Sequence, residues 1–248
     1  MIPFKKVFLL VLSLGLLLSS SLAQADEPGY LPKGSQPDPT VFLDPPPEFD
    51  SVLFAEDLRL HYLTKPLKGG PRWRRATRDA VYQNKLPEYL SDILGVNLTP
   101  KNAPKTFKLL NRAAVDLGTA NSTIKDRYQR LRPYAFFNLP KGSSCDPREE
   151  FLERDHSYPS GHSAVGYGQA LIFAGMFPDK QNEFILAGRE YGHSRVICGV
   201  HWKSDVEAGQ VVSGAVITRL YGQPEFQKDL AAAKDELTAL VAAKKKKP

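Results

Sequence analysis

The sequence predicts an all-α protein, a single-domain helical bundle around a central helix rich in small residues, with a long extended arm before it. Three observations carry that expectation. From Val52 onward the pattern is mostly helical, and strand-like alternation is scarce. The small residues Ala208, Gly209, Ser213, Gly214 and Ala215 cluster where a helix would let its neighbours approach closely.

Taken in order, residues 1–25 read as a cleaved signal peptide rather than as part of the fold. Lys5 and Lys6 form a basic start, Val7 to Leu18 an apolar stretch, and Ala23-Gln24-Ala25 a small-x-small cleavage site. That stretch is short for a membrane span, and no later one approaches the ~20 residues a span requires, so stable membrane insertion is not expected. Residues 26–50, with Pro45-Pro46-Pro47, read as an extended Pro-rich arm lying on the domain or on a neighbouring subunit. Residues 51–242 form the expected domain, with helical patterns at 52–64, 73–83, 86–93, 104–118, 120–131, 162–176, 181–193 and 204–220. A last amphipathic helix, about 225–242, gathers Phe226, Leu230, Leu237, Leu240 and Val241 on one face. Between them, residues 136–158 are charged, polar and without periodicity, as expected of a loop over a site. Residues 243–248 read as a basic, solvated tail.

Bulk properties exclude some functions. Of the formal charge of +6 on 248 residues, Lys5 and Lys6 leave with the leader, and the run Lys244 to Lys247 accounts for the remaining +4. There is no basic stripe interleaved with aromatics, so nucleic acid is not an expected partner. The two cysteines, Cys145 and Cys198, are too few for a zinc cluster. In an oxidising compartment such a pair is expected to form a disulfide rather than two buried thiols.

Three stretches carry chemistry. They are Lys125-Asp-Arg-Tyr-Gln-Arg-Leu-Arg132-Pro133, Pro159-Ser160-Gly161-His162, and Ser194-Arg195-Val-Ile-Cys-Gly-Val-His201-Trp-Lys-Ser-Asp205. Lys125 and Arg132 are seven residues apart, a spacing that predicts both on one face of a helix that Pro133 would end. Pro159 to His162 precedes an apolar run and reads as a helix start, where unpaired N–H groups and the positive dipole end favour an anion. His201 and Asp205, four apart, would meet on a helix, the carboxylate taking one ring N–H and leaving the other nitrogen free to react. Three cations, a Ser-Gly turn, two imidazoles and a carboxylate suit a doubly charged oxyanion, of which a phosphate ester is the obvious one.

The pattern K-x6-R-P, P-S-G-H, S-R-x5-H-x3-D resembles the three-part signature of the phosphatidic acid phosphatase type 2 and vanadium haloperoxidase superfamily. Gaps of 25 and 31 residues separate its parts here. The chain is most similar to bacterial class A non-specific acid phosphatases, a resemblance extended by Leu67-Lys-Gly-Gly-Pro-Arg-Trp73 and Gly192 to Trp202 and covering roughly residues 50–240. It implies a metal-independent, cofactor-free phosphatase of broad specificity, secreted or periplasmic, acting on small-molecule phosphate esters and forming a dimer or higher homo-oligomer. It further implies His201 as nucleophile, His162 as general acid and base, Asp205 as the group orienting His201, and Lys125, Arg132, Ser160, Gly161 and Arg195 as phosphate ligands.

Other residues are expected to be structural. Arg127 and Arg130 read as solvated helix charges, and His61 and His193 as packing residues, while His156 could reach substrate. The sequons at Asn97 and Asn121 carry little weight in a bacterial-looking chain. A rival metal set of Asp155, His156, His162, His193, His201 and Asp205 is disfavoured because three cations converge on the same pocket. Two alternatives stay open: a vanadium-dependent haloperoxidase with vanadate resident in this pocket, and a non-catalytic phosphate-binding envelope protein.

Overall fold

The structure is a computed structural model that describes residues 27–81 and 86–245. The leader expected at 1–25 and the last three residues of the expected tail lie outside the described residues. Among those described, no strand occurs. The helices are α1 (Pro39–Phe42), α2 (Val52–Thr64), α3 (Pro71–Ala80), α4 (Glu88–Leu94), α5 (Pro104–Tyr128), α6 (Pro133–Phe136), α7 (Glu149–Leu152), α8 (Gly161–Met176), α9 (Gln181–Ile197), α10 (Lys203–Tyr221) and α11 (Pro224–Lys245). Short 3₁₀ turns at Lys65–Leu67 and Pro178–Lys180 lead into α3 and α9.

Caps explain several boundaries. Ser51 accepts from the Phe54 N–H and starts α2. Pro104 opens α5 at a position where a missing N–H costs nothing. The next two N–H groups, of Lys105 and Thr106, donate to Glu236 on α11, so one helix caps another. The sequence pattern divides this region near residue 119, yet α5 runs unbroken for 25 residues. Its C-terminus comes at Tyr128, with Gln129 in the left-handed conformation at φ 46°. The helix expected at 225–242 starts one residue earlier and continues to Lys245, into the lysine run.

Helix α8 is the most enclosed element, packed by α5, α9 and α10. The small residues of α10 permit this approach. A Cβ on Gly209 would lie 2.4 Å from the Ser160 carbonyl oxygen, so only glycine lets α10 pass the start of α8. Leu117, Ile172, Phe173 and Val216 are fully buried where these helices meet, each worth about 1.5–3 kcal/mol in area removed from water. The same close packing holds the two chemical motifs together: the Ser160 N–H donates to the Asp205 carbonyl at 2.9 Å.

The arm lies on its own domain. Asp116 of α5 accepts from the N–H groups of Tyr30 and Leu31, Arg112 donates to the carbonyls of Pro28 and Gly29, and the Tyr158 hydroxyl donates to that of Asp44. Cys145 and Cys198 form a disulfide that ties the 136–158 stretch to the end of α9. No helix among the described residues is long and apolar enough to cross a membrane.

Candidate active site

The site is built on helix ends. Lys125 stands in the last turn of α5, but Arg132 follows the helix, in the segment between Gln129 and α6. The expectation that both share one helix face is therefore wrong: the left-handed Gln129 turns the chain away. Instead the two cations converge on one carboxylate, with Lys125 Nζ 3.0 Å and Arg132 Nη2 2.8 Å from Asp155 Oδ2. Both also donate to the His156 main-chain carbonyl, so it is the backbone of His156 that meets the cations.

His201 is delivered by the turn that ends α9. Gly199 adopts φ 76°, a left-handed conformation that favours glycine, and the N–H groups of Val200 and His201 both return to the Arg195 carbonyl. His201 thus precedes α10 rather than lying on it, while Asp205 sits in its first turn. They still meet. Nδ1 of His201 is 3.2 Å from Asp205 Oδ2, and the carboxylate fixes the tautomer that donates from Nδ1. The same oxygen accepts from the Trp202 N–H at 2.8 Å. Nε2 then bears a lone pair, to which Arg132 Nη1 donates at 2.9 Å. Burial, with Arg132, Lys125 and Arg195 nearby, pushes the His201 pKa well below the usual imidazole range, so the ring is neutral.

Ser160 caps α8. Its Oγ accepts from the Ser163 N–H at 3.3 Å and from Ser163 Oγ at 2.9 Å, leaving its own hydroxyl hydrogen to donate elsewhere. Asn121 of α5 holds the turn by donating to the Pro159 carbonyl. It is 1% exposed, so its sequon is closed off in the fold. His162 stacks on Tyr191, ring centroids 4.7 Å apart. Burial, together with Arg195 and Arg148, holds its pKa well below the ordinary value too.

Arg195 is 1% exposed. Nη2 donates to Asp146 Oδ2 at 2.6 Å, whereas Nε and Nη1 are buried without a hydrogen-bond partner among the described residues. Burial raises the Asp146 pKa, but hydrogen bonds and charge from Arg148 and Arg195 outweigh it and keep the carboxylate strongly ionised.

Sequence reasoning missed a buried clamp. Arg130, expected on a solvated face, is 5% exposed and bridges Asp57 Oδ2 of α2 at 2.8 Å and Asp205 Oδ1 at 2.5 Å. Ser204 completes it, its Oγ accepting from Arg130 and its N–H donating to Asp57. Burial pushes the Asp205 pKa up, and Arg130 is the main force opposing that rise. The tight Arg-Leu-Arg spacing was the one available signal for Arg130; Asp57 had none. Asp146 could have been suspected from its place beside Cys145. His61 is stacked on Phe137 and packs near Trp202, its pKa lowered to about 4 by burial and by Lys65. Among the described residues, no three His, Cys, Asp or Glu side chains are gathered so as to hold a metal ion.

Comparison with known proteins places the chain in a family. The profile of the PAP2 superfamily matches residues 107–229. A non-specific acid phosphatase of Providencia stuartii is 35% identical over 95% of this chain and 99% of its own. That of Salmonella typhimurium is 36% identical over 87% of this chain and 86% of its own, and an acid phosphatase of Zymomonas mobilis 36% over 81% and 75%. The chain therefore belongs to the PAP2 superfamily, among its non-specific acid phosphatases.

Proposed function

We propose that this acid phosphatase hydrolyses phosphomonoesters through a phosphohistidine on His201, without a metal ion. The observation that carries the reading is Arg195. A buried guanidinium with two nitrogens that lack a hydrogen-bond partner among the described residues is costly, and an oxyanion is the ligand that would satisfy it. The phosphoryl oxygens would be shared among Arg195, Lys125, Arg132 and the Ser160-Gly161 turn. His201 Nε2 attacks phosphorus as the bond to the leaving oxygen breaks, and His162 gives that oxygen its proton. Asp205 stabilises the positive charge that develops on His201. In the second step His162 takes a proton from water, whose oxygen attacks phosphorus and releases His201 and inorganic phosphate.

Both imidazoles are held neutral in the ligand-free site, which suits the nucleophile but not the acid. Burial is the largest cause of the depression at His162, and an anionic substrate beside Arg195 offsets the part that comes from charge. Proton uptake with substrate fits the acidic working range implied by the family resemblance. The leader at 1–25 and the Cys145–Cys198 bridge support export to the periplasm or beyond. Assembly as a dimer or higher oligomer is supported by exposed apolar side chains on the arm and α2, Val41, Val52 and Leu53 among them.

Acid-quench trapping with a labelled phosphomonoester tests the chemistry. Label recovered on His201 after exhaustive EDTA treatment is the expected result. Label on Ser160, or activity lost to EDTA and restored by zinc or magnesium, would overturn the mechanism.

A further inference from the structure

Arg132 has no unused side. Nε donates to the carbonyls of Leu152 and Asp155, Nη1 to the Val200 carbonyl and His201 Nε2, and Nη2 to the Asp155 carboxylate and the His156 carbonyl. Lys125 likewise spends its ammonium on the Asp155 carboxylate and the His156 carbonyl. A phosphoryl group that uses these cations must take over some of those bonds. The carbonyl partners are main-chain groups, and moving them means moving the backbone. The Asp155 carboxylate can leave by side-chain rotation alone. Its side chain is 33% exposed, against 11% for Lys125 and 3% for Arg132, so it meets the cations from the solvent side. The other two carboxylates of the site, Asp205 and Asp146, are fully buried and hold His201 and Arg195 from behind.

We infer that Asp155 is a resident competitor: its carboxylate occupies the Lys125–Arg132 part of the phosphate subsite, and substrate binds by displacing it. This rests on the reading that these cations receive the phosphoryl group. A carboxylate oxygen is a fair imitation of a phosphoryl oxygen, accepting charge-assisted bonds from both cations at 2.8 and 3.0 Å. The apparent affinity for any phosphate ligand is then reduced by the fraction of molecules in which Asp155 has swung away. Removing the charge lifts that penalty from ground state and transition state alike, so it acts through KM.

The test uses the full-length mature protein with inorganic phosphate as competitive probe and an aryl phosphate as substrate. Asp155→Asn keeps the shape and removes the charge, and Asp155→Ser shortens the side chain, in case the amide still bonds Lys125. Both should lower the inhibition constant of phosphate and the KM by about tenfold, the order of one partly exposed charged hydrogen bond. Lys125→Met serves as the reference. If phosphate does not compete in the wild type, or competes equally well in Lys125→Met, the subsite reading itself fails. If the wild type behaves as expected while both Asp155 variants bind phosphate unchanged or more weakly, the competitor role fails alone, and Asp155 is a support that positions the cations.

Discussion

Replacing Arg130 by methionine removes the one cation between two buried carboxylates. Arg130, Asp57 and Asp205 have side chains 3%, 2% and 0% exposed, so water cannot substitute for the lost guanidinium. Breaking a buried ion pair from one side typically costs about 3–5 kcal/mol, because the partner stays buried and unpaired. For a domain of this size that is a fall of roughly 6 to 20 °C in Tm. Activity should fall as well, by a separate route. Burial already raises the Asp205 pKa, and Arg130 is the chief opposing influence. Without it Asp205 takes up a proton in the acidic range and cannot stabilise a charged His201. A loss on the order of 10²-fold in kcat is expected at acidic pH, shrinking as pH rises and Asp205 ionises again. Adding Asp57→Asn should restore part of the stability by removing one of the stranded charges, which a double-mutant cycle would measure. Thermal melts and a pH–rate profile decide the matter. A variant melting within 2 °C or so of the wild type, with an unshifted profile, would refute the clamp.

His201→Ala should abolish turnover, whereas His162→Ala should lose about 10²–10⁴-fold on alkyl esters and much less on esters with good leaving groups; equal losses on both would reassign the proton donor. Stability should decline as pH drops below about 6.5. There the unfolded chain protonates His162 and His201 while the folded chain, with both pKa values depressed, does not. Urea midpoints at two pH values check this, and saturating phosphate should narrow the difference. Vanadate can be five-coordinate with His201 at an apex, as in the in-line transition state, so it should inhibit competitively well below the substrate's KM. Failure to compete with substrate would count against a shared pocket.

Much of this was legible in the sequence because helical periodicity reports which face is buried. The expected span 52–64 matches α2, and 162–176 and 204–220 match α8 and α10 to within a residue. The pattern at 104–131 divides into 104–118 and 120–131, with Gly118 at the division, whereas the helix runs through. A glycine there costs about 1 kcal/mol against alanine, less than the helix gains by burying Leu109, Leu110, Leu117 and Ile124 along its length. The spacing of the motif misstates its local geometry, since Lys125 to Arg132 is helical spacing that Gln129 interrupts. The charged supports stayed hidden for a different reason. Arg130 and Asp57 are 73 residues apart, and nothing local to either marks a partner brought close only by the packing of α2 against α10.

The Cys145–Cys198 bridge brackets the proposed phosphate subsite more closely than its role as a staple suggests. Asp146, the counter-ion of Arg195, is the residue after one cysteine, and Arg195 lies three before the other. Closing a loop of this length constrains the unfolded chain by about 4 kcal/mol. Where thiols are kept reduced, that constraint is missing, and the loop that bears Asp146 and Asp155 is held to the end of α9 by non-covalent contacts alone. An unspecific phosphatase endangers the cell that makes it, since nucleotides and sugar phosphates carry the group it cleaves. A fastening made by oxidation would tie the order of that loop to its surroundings, a restraint set by compartment and not by substrate.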